Sequence, residues 1–113
     1  MASRRDLIKN SSDSLLLSLL ERQPMYGYKI VKELELRSQG YFKFKEGTLY
    51  PALHRLEKAG LITGKWEMLP SGRQRRYYYI TEKGKARLTA EKEQWQDFLQ
   101  AVQLVLEPRP SSP

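Results

Sequence analysis

The chain has 113 residues, a net charge of +7 and no cysteine, and its residues are 40% hydrophobic and 29% charged. These values indicate one globular domain and exclude disulfides and thiolate metal sites. One histidine, no clustered carboxylates and no phosphate-binding glycine loop argue against an enzyme, a metal site or a cofactor. Without a long apolar segment or a recognisable signal peptide, we expect a cytoplasmic protein with no membrane partner.

The positive charge is concentrated in one stretch of the chain. Residues 41–87 hold eleven Lys and Arg but only four Asp and Glu, so this segment carries the whole +7 and the rest is balanced. A concentrated basic surface is typical of a protein that binds a polyanion, but a solvated basic face without a ligand has the same composition.

Two helices are predicted in the first third of the chain. The first runs from about residue 12 to Arg22, with the Ser-Ser-Asp at positions 11–13 as candidate N-caps. It is apolar nearly all round, so we expect it to be buried. The second runs from about Tyr26 to Ser38 and is followed by Gly40.

A third helix is predicted from about Glu46 to Ala59, with Gly60 as its C-terminal stop. Pro51 falls in its second turn, where the ring crowds the carbonyl of Gly47 and predicts a tightened or slightly bent start. Its apolar positions recur at helical spacing and share one face: Leu49, Ala52, Leu53 and Leu56.

A β-hairpin and a long helix complete the predicted elements. Two alternating segments, Ile62–Met68 and Arg75–Ile80, are joined by a loop with Pro-Ser-Gly turn chemistry and a basic far side. Thr81 then caps a helix over Glu82–Leu106, and the Pro-rich residues 108–113 read as a flexible tail.

The predicted fold is mainly α (α+β): a winged helix-turn-helix with a two-stranded β wing and a C-terminal dimerisation helix. Residues 1–80 form the DNA-binding domain in this interpretation, and residues 81–107 form the dimerisation helix. In such a fold the third helix enters the major groove of double-stranded DNA, while the basic hairpin reaches the adjacent groove or backbone.

The candidate DNA contacts follow from this geometry. Small and polar side chains in the first half of the third helix can meet base edges, and the cations around it can anchor phosphates, as can the helix N-terminus. The base-edge candidates are Lys45, Thr48 and Tyr50, the phosphate candidates are Lys43, Arg55, Arg73, Arg75 and Arg76, and Lys29, Pro51, His54 and Gly72 complete the set.

Dimerisation follows from the length of the last helix. About 25 residues make a helix of roughly 37 Å, and a three-helix core cannot cover all of it. A two-fold partner would bury the apolar side chains left exposed and set two recognition helices about one DNA turn, roughly 34 Å, apart, so a palindromic operator is predicted. The residues assigned to this surface are Leu88, Trp95, Phe98, Leu99, Val102 and Val105.

Several alternatives stay open at the level of sequence. Tyr50 can contact DNA or pack on the first helix, and the consecutive tyrosines at positions 77–79 fit sheet packing better than base stacking. A winged helix that serves as a protein–protein interaction module is the main alternative function. Salt-sensitive retention on heparin separates the two functions, since only a phosphate binder depends steeply on salt.

Four stretches of the chain carry a family pattern: Tyr26-Gly27-Tyr28-Lys29-Ile30, Gly47-Thr48-Leu49-Tyr50-Pro51-Ala52-Leu53, Arg55 to Ile62, and Arg75 to Gly84. Together they resemble the PadR family of bacterial transcriptional regulators, in particular its short members with a single C-terminal helix. Lys45-Glu46 departs from the Ser-Pro that many relatives carry before the glycine, which affects the cap of the third helix.

The resemblance implies a dimeric winged helix-turn-helix that represses nearby genes and, as in many relatives, releases DNA on binding a small hydrophobic or aromatic effector. Trp95 falls at the position of a tryptophan that lines a flat pore at the dimer centre in some short relatives. It is expected to anchor the dimer core, to serve as a ligand platform, or to do both.

Overall fold

The structure is a computed structural model that describes the backbone of residues 4–107 and the side chains of residues 11–107, so the predicted tail lies outside the described residues. Within this range four helices and three strands give the mainly α, α+β architecture that was predicted, and none of the helices is long and apolar enough to cross a membrane. The elements are α1 (Arg4–Arg22), β1 (Met25–Tyr26), α2 (Gly27–Arg37), α3 (Glu46–Lys58), β2 (Ile62–Met68), β3 (Gln74–Ile80) and α4 (Glu82–Leu106).

Helix α1 begins about two turns earlier than predicted, so the assignment of positions 11–13 as its N-caps is wrong. Their polar side chains lie inside the helix rather than at its start. Asp13 pairs with Arg55 of α3 (Oδ1–Nη2 2.8 Å), and the adjacent Ser14 donates to Glu91 of α4. The predicted burial of the helix is confirmed by Leu16, Leu17, Leu19 and Leu20, all of which lie in the core.

The sheet has three strands in the order β1-β3-β2, one more than predicted. β2 and β3 form the antiparallel hairpin in a register from Ile62 opposite Ile80 to Met68 opposite Gln74. β1 pairs antiparallel with β3 through only two residues, too few to show the alternation that predicts a strand.

The end of the hairpin has the predicted turn chemistry. Gly72 has a φ of +88°, which favours glycine. Its N–H donates to the Leu69 carbonyl (2.9 Å), and the Leu69 N–H donates to the Arg73 carbonyl (2.7 Å). This turn presents Arg73 at the tip of the wing, the name used below for residues 62–80.

The three consecutive tyrosines of β3 pack within the sheet, as predicted. Tyr78 is buried, and burial raises the pKa of its hydroxyl although the Arg76 charge lowers it in part. Tyr77 packs edge-on against Tyr26 of β1 (centroids 5.5 Å apart), and Tyr79 donates to the Glu67 carboxylate (2.9 Å), which raises the pKa of Tyr79.

Helix α4 starts inside the core and then leaves it. The predicted cap is confirmed, because the Thr81 hydroxyl accepts from the Gly84 N–H (3.0 Å). Gly84 lies so close to the Leu61 carbonyl that a Cβ there would collide with it. Leu88 is only 1% exposed and belongs to the core of its own chain. The expectation that Leu88 stays exposed in a single chain is therefore wrong, because α4 packs on α1 over its first turns.

Candidate nucleic-acid interface

Helix α3 presents a buried apolar back and an exposed polar front. Leu49, Leu53 and Leu56 are buried, and Thr48, Pro51 and His54 are exposed, as predicted. The Lys45 carbonyl accepts from both the Thr48 and the Leu49 N–H (2.9 Å each), so the first turn includes a regular α-helical bond, and the tightened or bent start predicted from Pro51 stays a prediction. The side chain of the N-cap residue, Lys45, makes no capping hydrogen bond, so the first amides of the helix can receive an anion such as a phosphate.

Tyr50 lies between the packed and the exposed parts of α3. Its side chain is 45% exposed, and its hydroxyl lies directly over Gly27 at the start of α2, where a Cβ would collide with it. Tyr50 therefore packs on α2 rather than on α1, and it still offers part of its ring to the outer face of α3.

Three of the predicted cations are free on the surface around α3 and the wing. Lys43, Lys45 and Arg73 are exposed, and within the described part of the chain they make no ion pair. Arg75 is exposed too, with its guanidinium carbon 4.1 Å from the centre of the Tyr26 ring. Stacking of this kind holds the guanidinium plane while leaving its N–H donors available.

Three other predicted cations are in different surroundings. Arg55 is tied to Asp13 of α1, and Arg76 pairs with Glu57 of α3 (Nη2–Oε2 2.6 Å). Lys29 is partly buried on α2. Arg76 thus has a protein partner that the sequence did not indicate, because Glu57 and Arg76 come together only when the hairpin folds back on α3.

The sequence prediction missed an aromatic groove between the wing and the start of α2, to which α3 contributes Tyr50. Trp66 of β2 is 65% exposed beside it, because α3 covers only the base of that face of the hairpin. The signal in the sequence was Trp66 itself, an aromatic residue in a basic segment. It was overlooked because the alternation of apolar and polar residues in β2 suggested that its side chain is buried. The groove has a volume of about 420 Å³ and is lined by Tyr26, Gly27, Tyr28, Tyr50, Trp66, Arg75, Arg76 and Tyr78.

A second groove, mostly apolar and about 470 Å³ in volume, runs between α1 and α4. Trp95 is partly buried in it, donates its indole N–H to the Ser14 hydroxyl (3.2 Å) and meets the Phe98 ring edge-on (centroids 5.8 Å apart). Leu15, Phe42 and Leu99 also line it. Beyond this groove α4 continues with exposed apolar side chains at Leu104, Val105 and Leu106.

Comparison with known proteins agrees with this architecture. Residues 16–90 match the model of the transcriptional regulator PadR-like family. The chain belongs to the PadR-like family. A Lysinibacillus sphaericus protein of uncharacterised function is 36% identical over 104 residues, covering 92% of this chain and 95% of that protein. A transcriptional regulator of Mycobacterium tuberculosis is 40% identical over 68 residues, covering 60% and 62%.

Solved PadR-type structures share the fold as well. A PadR-like transcriptional regulator from Bacillus cereus superposes with a TM-score of 0.81 at 29% identity, over 91% of this chain and 98% of the other. A transcriptional regulator from Clostridium thermocellum superposes with a TM-score of 0.80 at 31% identity, over 90% of this chain and 99% of the other. The chain is thus a PadR-like transcriptional regulator with a winged-helix fold, in agreement with the prediction that it is not an enzyme.

Proposed function

We propose that the chain is a dimeric, sequence-specific DNA-binding repressor that acts in the cytoplasm and is released from its operator by a small hydrophobic or aromatic effector. The observation that carries the proposal is the exposed cationic face around α3 and the wing, where Lys43, Lys45 and Arg73 have no protein partner within the described residues. Phosphates are the counterions that such a face attracts.

The proposed interface divides into base-reading and backbone-binding parts. Thr48, Lys45 and the exposed part of Tyr50 meet base edges, with Pro51 and His54 beside them on the same exposed face. Arg73 and Gly72 at the wing tip follow the backbone with Arg75, and Trp66 offers an apolar surface to the sugars or the groove floor. Lys29, Lys43 and Arg55 add phosphate contacts on the other side of α3.

Substitution of Arg73 by alanine tests the wing's part in this interface. Because Arg73 lies at the tip and makes no ion pair among the described residues, we expect the variant to bind operator and random DNA more weakly by a similar factor. The slope of log affinity against log salt should fall by about one unit. Fluorescence anisotropy with a labelled duplex from the chain's own promoter measures both quantities.

The matched control is Lys92→Ala, which removes one positive charge from α4, where Lys92 pairs with Glu21 of α1 (3.1 Å). We expect its affinity and salt slope to equal those of the wild type. Equal slopes for the Arg73 variant and the wild type contradict the wing's role. Equal affinity of the wild type for promoter and random duplexes contradicts recognition of that operator.

We propose that two chains pair through the later turns of α4, with residues up to Leu88 forming the DNA-binding unit and Trp95, Phe98, Leu99, Val102 and Val105 forming the dimer surface. These five side chains share one face of the helix at 100° per residue. Pairing about a two-fold axis presents two copies of α3 to a palindromic operator.

An effector held beside Trp95 can act by changing the separation of the two α3 helices, because α4 connects the dimer surface to the DNA-binding core. We expect aromatic compounds that quench Trp95 fluorescence, measured in a Trp66→Phe background, to release the operator as well. Trp95→Phe, which keeps an aromatic ring in the dimer surface, should keep operator binding and weaken the release. Structures with and without such a compound that have the same α3 separation contradict this mechanism.

A further inference from the structure

A single carboxylate on α3 holds both strands of the wing. Glu57 Oε2 accepts one hydrogen bond from Arg76 Nη2 of β3 (2.6 Å) and one from the backbone N–H of Gly64 in β2 (3.1 Å). Gly64 and Arg76 are close neighbours on the paired strands, since Gly64 lies opposite Tyr78. This group, named here the Glu57 bridge, directly connects the recognition helix to the hairpin.

The three residues of the bridge fit one another closely. The Arg76 guanidinium lies across Gly64, where a Cβ would overlap the guanidinium nitrogens. It also lies 5.7 Å from the centre of the buried Tyr78 ring. The Glu57 and Arg76 side chains are only 28% and 36% exposed. Such an enclosed, hydrogen-bonded pair fixes geometry better than a solvated surface pair does.

We propose that Glu57 is a positioning residue: it sets the angle between the wing and α3 so that both reach the DNA together, and Arg76 serves this bridge rather than a phosphate. The proposal rests on the proposed DNA interface. Electrostatics alone predicts the opposite effect of substituting Glu57, because removing a negative charge beside a DNA-binding face raises the affinity for DNA. Loss of the bridge instead leaves the wing free to move. The entropy that is lost when DNA binding orders the wing then lowers the affinity.

The test compares Glu57→Ala, Glu57→Gln and Arg76→Ala with the control Glu67→Gln. Glu67 is an exposed carboxylate of the same wing, and its hydrogen bond comes from Tyr79 of the wing itself. We expect Glu57→Ala to weaken operator binding about tenfold, because a wing contact such as that of Arg73 is then lost or must be ordered upon binding. Glu57→Gln should lose less, because its amide oxygen still accepts from Gly64. Glu67→Gln should bind as tightly as the wild type or more tightly.

Two further readouts separate positioning from a contact with DNA. Adding Arg76→Ala to Glu57→Ala should change the affinity little, since both substitutions remove the same bridge. Amide hydrogen exchange in the absence of DNA should speed up at Gly64 and along β2 in the Glu57 variants while the α1 amides keep their rates. Exchange therefore reports on the bridge even without an operator.

Operator binding by Glu57→Ala that equals or exceeds that of the wild type overturns the proposal, and so does unchanged exchange at Gly64. Additive losses from Glu57→Ala and Arg76→Ala overturn it as well, because Arg76 then contacts DNA independently. If the wild type binds operator and random DNA equally, the proposed function fails instead. The exchange rate at Gly64 in the Glu57 variants then still shows whether the bridge exists.

Discussion

The double substitution Phe98→Asp with Val105→Asp is expected to produce a monomer and to weaken operator binding by at least about 100-fold. Val105 is 82% exposed in the single chain and Phe98 is also exposed, so neither aspartate disturbs the core of the protomer. In a dimer the same positions would bring buried charges together across the two-fold axis, at a large cost in free energy. A monomer binds one half-site and loses the gain in effective concentration from the second, typically 10²–10⁴-fold.

The shape of the chain supports this expectation. Its radius of gyration is 16.9 Å, whereas a compact domain of this length has about 13 Å. The later turns of α4 contribute to this difference, because they carry the exposed side chains of Leu104, Val105 and Leu106 away from the core. An apolar helix that projects from a small domain is stabilised when a second copy covers it.

Analytical ultracentrifugation and anisotropy on the palindromic duplex measure the two effects together. The control is Gln100→Asp, which adds a charge at an exposed position on the opposite side of α4. It should remain dimeric and bind the operator with wild-type affinity. A double variant that sediments as a dimer, or a monomer with wild-type operator affinity, contradicts the proposed dimer surface.

The fold was largely predictable because most of its elements carry strong local signals. Thr81, Gly60 and the Pro-Ser-Gly turn mark where helices and strands begin or end, and each has the predicted role. The start of α1 was predicted wrongly because Ser and Asp are good caps in isolation. Here Asp13 bonds Arg55 from another helix, and that tertiary contact replaces the capping function.

The sequence predicted which residues belong to the candidate site but not which of their side chains contact each other. Sequence shows which cations lie near α3 and the wing, so Lys43, Lys45 and Arg73 were predicted correctly as exposed residues. It does not show that Glu57 reaches Arg76, because their contact depends on how the hairpin folds against α3. Trp66 was missed for the same reason. The alternation of residues predicts which side chains lie on the same face of the hairpin as Trp66, but not how much of that face α3 covers.

The same limitation applies to Leu88, whose replacement by alanine is expected to lower the free energy of unfolding by about 2–5 kcal/mol. Helical spacing places Leu88 on the face of α4 that carries Trp95, so sequence assigned it to the dimer surface. The structure buries it in the core of its own chain, packed with residues of the other elements. Its truncation should therefore leave a cavity in each protomer.

Leu106→Ala is the matched control, since Leu106 lies 18 residues, or about five turns, later on the same side of α4 but is 76% exposed. Urea unfolding at several protein concentrations distinguishes the two sites. The loss in Leu88→Ala should be independent of concentration, because the cavity forms within one chain. Any loss in Leu106→Ala should shrink on dilution, because the wild type and the variant are then both monomers. If the loss in the Leu88 variant instead disappears on dilution, Leu88 belongs to the dimer surface, and the core of the protomer ends before α4.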